Sequence, residues 1–164
     1  MKYLYGLDLS MKNTGVTIFD LETKKPVYIG SIETKDKHSH GERLSYISQY
    51  ILKLKEKYPP SIIAIERGFS RFNTSTQVIY RVHGVVNYLF HDIEQVYYPP
   101  KKIKEAIIKG DASKKLVRQV IERNYPDVKF KNEDQSDSFA IGLTYMIING
   151  LIEWDKKLNK KRLS

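Results

Sequence analysis

The sequence predicts an α/β fold: a mixed five-stranded sheet, three antiparallel strands first and parallel strands after, flanked by helices on both faces. Three observations predict it. Three β-rich stretches within Tyr3–Ile32 are joined by short turns, which makes an antiparallel meander. A helical repeat over Gly41–Tyr58 leads into Ser61–Glu66, SIIAIE, a run apolar enough for a strand covered on both faces, as parallel strands after a crossover are. A second helical repeat and a short strand, Gln95–Tyr98, follow in the same order.

Each element has its own signal. In Lys2–Asp20, Tyr3, Tyr5, Leu7 and Leu9 alternate with Leu4, Gly6 and Asp8, the period of a strand. Asn13, Thr14 and Gly15 read as the turn, and Val16, Ile18 and Phe19 begin the second strand. Glu22–Pro26 turns the chain into a third, Val27–Ile32. Ser39 followed three residues later by Glu42 has capping-box spacing. Leu44, Ile47, Ile51, Leu54 and Tyr58 then recur at steps of three and four until Pro59-Pro60 ends the helix. Arg67–Thr74 reads as a polar and aromatic loop. Val78, Val82, Val85, Val86 and Leu89 mark a helix over Ser75–Phe90. Pro99-Pro100 closes the Gln95–Tyr98 strand. Lys101–Lys109 and Ser113–Asn124 read as two short helices around Gly110-Asp111, and Asp134 opens a last helix reaching about Trp154. The domain is expected to span residues 1–154, with a basic tail over 155–164.

Length and composition narrow the function. At 164 residues the chain suits one domain with a real core. Its 41% hydrophobic content is that of a soluble globular protein, and no apolar run reaches a membrane span. The absence of cysteine excludes disulfides, thiolate metal sites and cysteine nucleophiles, and fits a reducing cytoplasm. The net charge of +9, from 28 Lys and Arg against 19 Asp and Glu, points to a polyanionic partner, although a lysine-rich surface alone gives the same balance. No Walker-type glycine loop occurs, which argues against a nucleotide motor. The four histidines, at 38, 40, 83 and 91, lack ligand spacing and read as incidental.

Four acids are hard to explain structurally. Asp8 lies inside a strand, and an unpaired carboxylate there costs several kcal/mol. Glu66 ends an apolar strand. Asp134 and Asp137, three apart at a helix start, share one face. If the strands of Asp8 and Glu66 are neighbours, a helix N-terminus brought alongside completes an oxygen-rich pocket. Such a cluster repels itself and suits hard cations such as Mg²⁺ or Mn²⁺. A pair of these ions about 3.5–4 Å apart is a common device for phosphodiester hydrolysis. Plainer readings stand beside this one. Asp134 also reads as an N-cap, Asp137 as a dipole partner, and Glu66 as a partner of Arg67 or Arg71.

Four segments carry a family resemblance: Gly6-Leu7-Asp8 with Thr14-Gly15; Ile63-Ala64-Ile65-Glu66-Arg67-Gly68-Phe69; Pro100 with Ile103-Lys104, then Gly110 and Ala112-Ser113-Lys114; and Asp134-Gln135-Ser136-Asp137-Ser138-Phe139-Ala140. In their order and over about Tyr3–Leu151 the chain resembles the RuvC-type Holliday junction resolvases of the RNase H-like nuclease superfamily. The resemblance implies an RNase H-like sheet and a homodimer cutting four-way junctions with two Mg²⁺ ions per active site, Mn²⁺ being a plausible substitute. It implies Asp8, Glu66, Asp134 and Asp137 as metal ligands, Lys104 and Lys114 as phosphate contacts near the reaction, and Phe69 as a stacking residue at the branch point. Leu9 stands where a proline is common, the turn lacks a Gly-Ser pair, and the link Lys109-Gly110-Asp111-Ala112 is short. These departures fit a divergent, phage-type member in the cytoplasm of a bacterial or phage-infected cell. No helicase partner can be read from the chain.

Two further features fit nucleic acid. Arg67, Phe69, Arg71 and Phe72 interleave charge and rings beside the acids, which suits distorted, unstacked DNA. Lys101, Lys102, Lys104, Lys109, Lys114 and Lys115 form a dense basic stretch; a solvated helix face is its plainer reading. The apolar residues Tyr80, Val85, Tyr88 and Leu89 over-supply one helix and suit a two-fold contact. The expected activity is therefore magnesium-dependent endonucleolytic cleavage of branched DNA. The alternatives are a ribonuclease of the same type, acting on RNA or an RNA–DNA hybrid, and a non-catalytic junction-binding protein.

Overall fold

Eleven elements follow one another in the structure, a computed structural model that describes residues 2–68 and 73–161. The strands are β1 (Tyr3–Asp8), β2 (Asn13–Asp20), β3 (Lys25–Glu33), β4 (Pro60–Glu66) and β5 (Glu94–Tyr98). The helices are α1 (His40–Lys57), α2 (Asn73–Leu89), α3 (Pro100–Ile107), α4 (Lys114–Asn124), α5 (Glu133–Ile148) and α6 (Lys156–Lys161). The sheet order is β3-β2-β1-β4-β5. The first three strands pair antiparallel, and β4 and β5 run parallel to β1, as the sequence predicts.

The alternation in β1 feeds two cores. Tyr3, Tyr5 and Leu7 pack on one face with Ile47, Ile51 and Leu54 of α1 and Val82 and Val86 of α2. Leu4 joins Phe19, Ala64 and the α5 residues Phe139, Ala140 and Leu143 on the other. Asp8 shares the parity of Leu4 and so emerges on the α5 side. The capping box of α1 forms as read: Glu42 N donates to Ser39 Oγ at 3.3 Å, and Ser39 N donates to a Glu42 carboxylate oxygen at 2.8 Å.

Several boundaries differ from the sequence reading, each for a local reason. The bend after β1 occupies residues 9–12, and Asn13, Thr14 and Gly15 lie inside β2, with Gly15 opposite Asp8. Gly15 is small because α5 presses on it: a Cβ there would lie 2.0 Å from the Asp134 carbonyl oxygen. Pro26 sits within β3, an edge strand, where the register shifts and a missing N–H is tolerated. The last helix stops at Ile148 rather than near Trp154, because Gly150 turns to φ +64° after the Asn149 C-cap. Trp154 instead donates its indole N–H to the Ile107 carbonyl at 2.8 Å. The basic segment contains α6, whose buried Asn159 accepts from Asn124 Nδ2 at 3.0 Å.

On α2, Tyr80 and Tyr88 are exposed, whereas Val85 and Leu89 are half-buried. His83 is buried and stacks beside Tyr97, so it belongs to the packing between α2 and β5. Among the described residues no helix is long and apolar enough to cross a membrane.

Candidate active site

Register brings the first two acids together. Gly6 aligns with Ala64 and Leu7 with Ile65 in the parallel β1–β4 pair, so Asp8 and Glu66 end adjacent strands on the same face. The other two come from α5, whose backbone lies directly on the sheet. A Cβ on Gly6 would lie 2.2 Å from the Ser138 carbonyl oxygen, as intolerable as the one on Gly15. Two glycines on neighbouring strands therefore set the depth of α5. Polar contacts fix its position along the sheet. Thr17 Oγ1 and Ser138 Oγ share a buried hydrogen bond of 2.8 Å. Asn132 Nδ2 donates to Ser31 Oγ at 2.9 Å, while Asn132 Oδ1 accepts from Gln135 N at 3.0 Å. Asn132 is thus the N-cap, and the cap role read for Asp134 does not hold.

Asp137, Glu66 and Asp134 all lie within electrostatic reach of Asp8. Burial, then the negative charges of Asp137 and Glu66, push the Asp8 carboxyl from 3.8 up to about 7, against a downward pull from Lys114. Burial and the charge of Asp137 raise Glu66, and the cations that oppose this are Lys114 and Lys104. The pairing of Glu66 with Arg67 is not the arrangement found: Arg67 is exposed, and its backbone N–H donates to the Tyr98 carbonyl at 2.8 Å. Burial raises Asp134 too, followed by the charge of Asp137; a hydrogen bond from Asn13 acts the other way.

Lys114 is the cation bonded to this group of acids. Its ammonium donates to Asp137 Oδ2. Desolvation lowers its pKa, but Asp137, Asp8 and Glu66 together hold it above the ordinary lysine value. Lys104, Lys114, Glu66 and Asp137 line one small cleft between α3, α4 and α5.

The remaining basic residues divide. Lys102 pairs with Glu105 at 3.8 Å and Lys109 with Asp111 at 3.7 Å, the solvated-face behaviour. Lys101 and Lys115 are exposed on α3 and α4. Phe69, Arg71 and Phe72 lie outside the described residues. Asn13 is the neighbour that sequence reading missed as a site residue. Its Nδ2 donates to Asp134 Oδ2 at 2.5 Å. The alternation of Asn13, Gly15 and Thr17 along the face of β2 that meets α5 is the signal that marks it.

The donor set suits a hard cation: four carboxylate groups, three of them destabilised as anions, with no sulfur or imidazole among them. As they stand, no three Asp, Glu, His or Cys side chains among the described residues are grouped so as to hold a metal ion. Lys114 stands with them instead. Its side chain is 61% exposed, whereas that of Asp137 is 20% exposed.

Known proteins resemble this chain in sequence and in fold. A chain from Prochlorococcus marinus subsp. pastoris, described as a crossover junction endodeoxyribonuclease RuvC, is 29% identical over 147 residues, covering 86% of this chain and 94% of that one. A chain of the same description from Orientia tsutsugamushi is 31% identical, covering 86% and 92%. The structure of Thermus thermophilus RuvC in complex with a Holliday junction substrate superposes with a TM-score of 0.81 at 17% identity, covering 92% of this chain and 96% of that one; at that identity it shows the shared fold. Residues 4–145 match the family model described as crossover junction endodeoxyribonuclease RuvC, and the chain therefore belongs to the RuvC family.

Proposed function

We propose that this chain is a divalent-metal-dependent endodeoxyribonuclease that resolves four-way DNA junctions by water attack on a phosphodiester bond. One observation carries the proposal: Asp8, Glu66, Asp134 and Asp137, remote in sequence, act on one another electrostatically at one end of the sheet. The solved T. thermophilus relative is described with a Holliday junction substrate, which supports branched DNA as the substrate class.

Asp8, Glu66, Asp134 and Asp137 would hold Mg²⁺, or Mn²⁺ in its place, as two ions per site. When bound, the ions supply a water of lowered pKa and neutralise charge on the departing 3′-oxygen. The chain's own cations do the rest. Lys114, released from Asp137, holds a non-bridging phosphate oxygen. Lys104, which lines the same cleft, draws the backbone towards Glu66. Arg67, Lys101 and Lys115, all exposed, grip flanking phosphates and fix the register of the strand. Lys102 and Lys109 add long-range attraction. The aromatic part of the reading rests on Phe69 and Phe72, with Arg71 between them.

The working unit is a homodimer built on α2, where Tyr80 and Tyr88 are 57% and 77% exposed. Two sites related by a two-fold axis match a junction in which two strands of like polarity are cut. The nuclease domain is residues 1–154, and residues 155–164 form a basic C-terminal segment.

The test compares matched four-way, forked, linear duplex and RNA–DNA hybrid substrates in Mg²⁺ and then in chelator, for wild type and Asp8→Asn. The expected result is junction cleavage that chelator and Asp8→Asn both abolish while junction binding persists. Cleavage that survives chelation overturns the metal reading. Equal cutting of linear duplex overturns junction selectivity, and preferential cutting of the hybrid favours the ribonuclease alternative.

A further inference from the structure

Asn13 has an acceptor without a partner. Its Oδ1 is closed off from solvent and accepts no hydrogen bond from any described group. Buried acceptors are nearly always satisfied, so this one calls for a reason. The other end of the same amide donates to Asp134 Oδ2 at 2.5 Å, which places the orphaned oxygen beside the carboxylate cluster.

The amide is held in place from its own backbone. Asn13 N donates to Ser10 Oγ at 2.9 Å, and Ser10 Oγ donates back to the Asn13 carbonyl at 2.8 Å. Thr14 Oγ1 donates to the Ser10 carbonyl at 2.7 Å and closes the bend on itself. Asn13 is also the first residue of β2, so the ladder to Glu33 of β3 ties down its strand side. A side chain so anchored reaches Asp134 with little freedom to lose.

We infer that Asn13 is a positioning residue of the metal site. Its amide N–H holds Asp134 in one orientation, and its Oδ1, closed to solvent, stays neutral beside the carboxylates. An amide does this without adding a fifth negative charge to four that already repel. A carboxylate at this position has no proton to give Asp134, and an aliphatic side chain has neither group. Residues that orient metal ligands from behind typically contribute about 10–100-fold in metal affinity.

This inference rests on the metal-site reading above, and the experiment separates the two. Mn²⁺ uptake is titrated calorimetrically on the DNA-free full chain for wild type, Asn13→Ala, Asp134→Asn and the double variant. Melting temperature in chelator and junction binding without divalent ions are measured alongside. Asn13→Ala is expected to weaken Mn²⁺ binding by about 10-fold or more, with melting and junction binding kept. In the Asp134→Asn background the same substitution is expected to change Mn²⁺ affinity much less, because Asn13 acts through Asp134. If Asn13→Ala melts early, Asn13→Ser, which is too short to reach Asp134, is read in its place with the same expectation. Wild type that takes up no Mn²⁺ overturns both readings. Equal Mn²⁺ affinity in wild type and variant, or an undiminished loss in the Asp134→Asn background, overturns the role of Asn13 alone.

Discussion

A Cβ built on Gly15 would lie 2.0 Å from the carbonyl oxygen of Asp134, so the contact that excludes a side chain from β2 also sets where one of the acids begins. The atom in the way belongs to backbone, which cannot rotate aside. Gly15→Ala is therefore expected to lift the first turn of α5 off the sheet. Overpacking of this kind costs about 1–3 kcal/mol or more. In a chain of this length that is several degrees of melting temperature. Cleavage is expected to fall further than stability, because Asp134 moves with the helix. Gly84→Ala is the control: nothing lies within 4 Å of its Cβ, and a helical Ala is favoured by up to about 1 kcal/mol. Equal melting temperatures for the two variants would contradict the close-approach explanation.

The second prediction concerns pH in the absence of divalent ions. The Asp8 carboxyl sits at about 7 in the folded chain against an ordinary 3.8, chiefly because it is buried and next because Asp137 and Glu66 are close. A carboxyl raised by folding binds its proton more tightly in the native state. Its contribution is fully present below about pH 4 and is lost as pH rises through about 7. In chelator, wild type is expected to lose stability between about pH 4 and about pH 7, by an amount on the order of a few kcal/mol. Asp8→Asn, which cannot ionise, is expected to flatten that slope. Urea unfolding at fixed pH steps measures it, and parallel profiles for the two proteins would sink the account.

How much of this was legible in the chain depends on how local each cause is. Asp8 and Glu66 stand out because strands covered on both faces seldom carry acids, and the register Leu7–Ile65 then makes them neighbours. Asn13, Thr14 and Gly15 have turn composition, yet they pair within β2; the demand for a small residue comes from α5, more than a hundred residues away. Asp134 and Asn132 are both good capping types, and only the bond from Gln135 N tells them apart. Leu151, Ile152 and Trp154 continue the apolar pattern of α5, but they pack against the core after the chain has left the helix at Gly150. The ion pair of Lys114 with Asp137 left no trace in spacing, because it joins two helices through the fold alone.

Lys114 gives the third prediction. Its ammonium is the counter-ion of Asp137, Asp8 and Glu66 in the folded chain, and the proposed mechanism gives it a phosphate contact as well. Lys114→Ala is expected to lower the cleavage rate about 100-fold, the usual loss when one preorganised charge donor is removed. Junction affinity is expected to fall no further than on loss of any other single phosphate contact. Lys102→Ala, whose partner is the exposed Glu105, is the comparison and is expected to stay near wild-type rate. Single-turnover cleavage with saturating enzyme separates the two, because it reports chemistry without binding. An equal loss in both variants would mean that general positive charge, and not the place of Lys114, matters.

The last prediction tests the exposed lysines as a binding surface. Lys101 and Lys115 are exposed on helices that flank the cleft of Glu66 and Asp137. If each neutralises one phosphate, each contributes about 0.9 to the slope of log affinity against log salt. Lys101→Ala and Lys115→Ala are expected to shallow that slope by about one each and to weaken junction binding at low salt. Lys53, on α1 across the sheet, is expected to leave the slope unchanged when replaced by Ala. Filter binding over a range of potassium chloride, with chelator present to prevent cleavage, reads the slopes directly. If all three variants shift the slope alike, the DNA is held by the overall charge of the molecule. If only the flanking pair does so, the junction lies across the acid cleft, where its phosphates must be for the carboxylates to act on them.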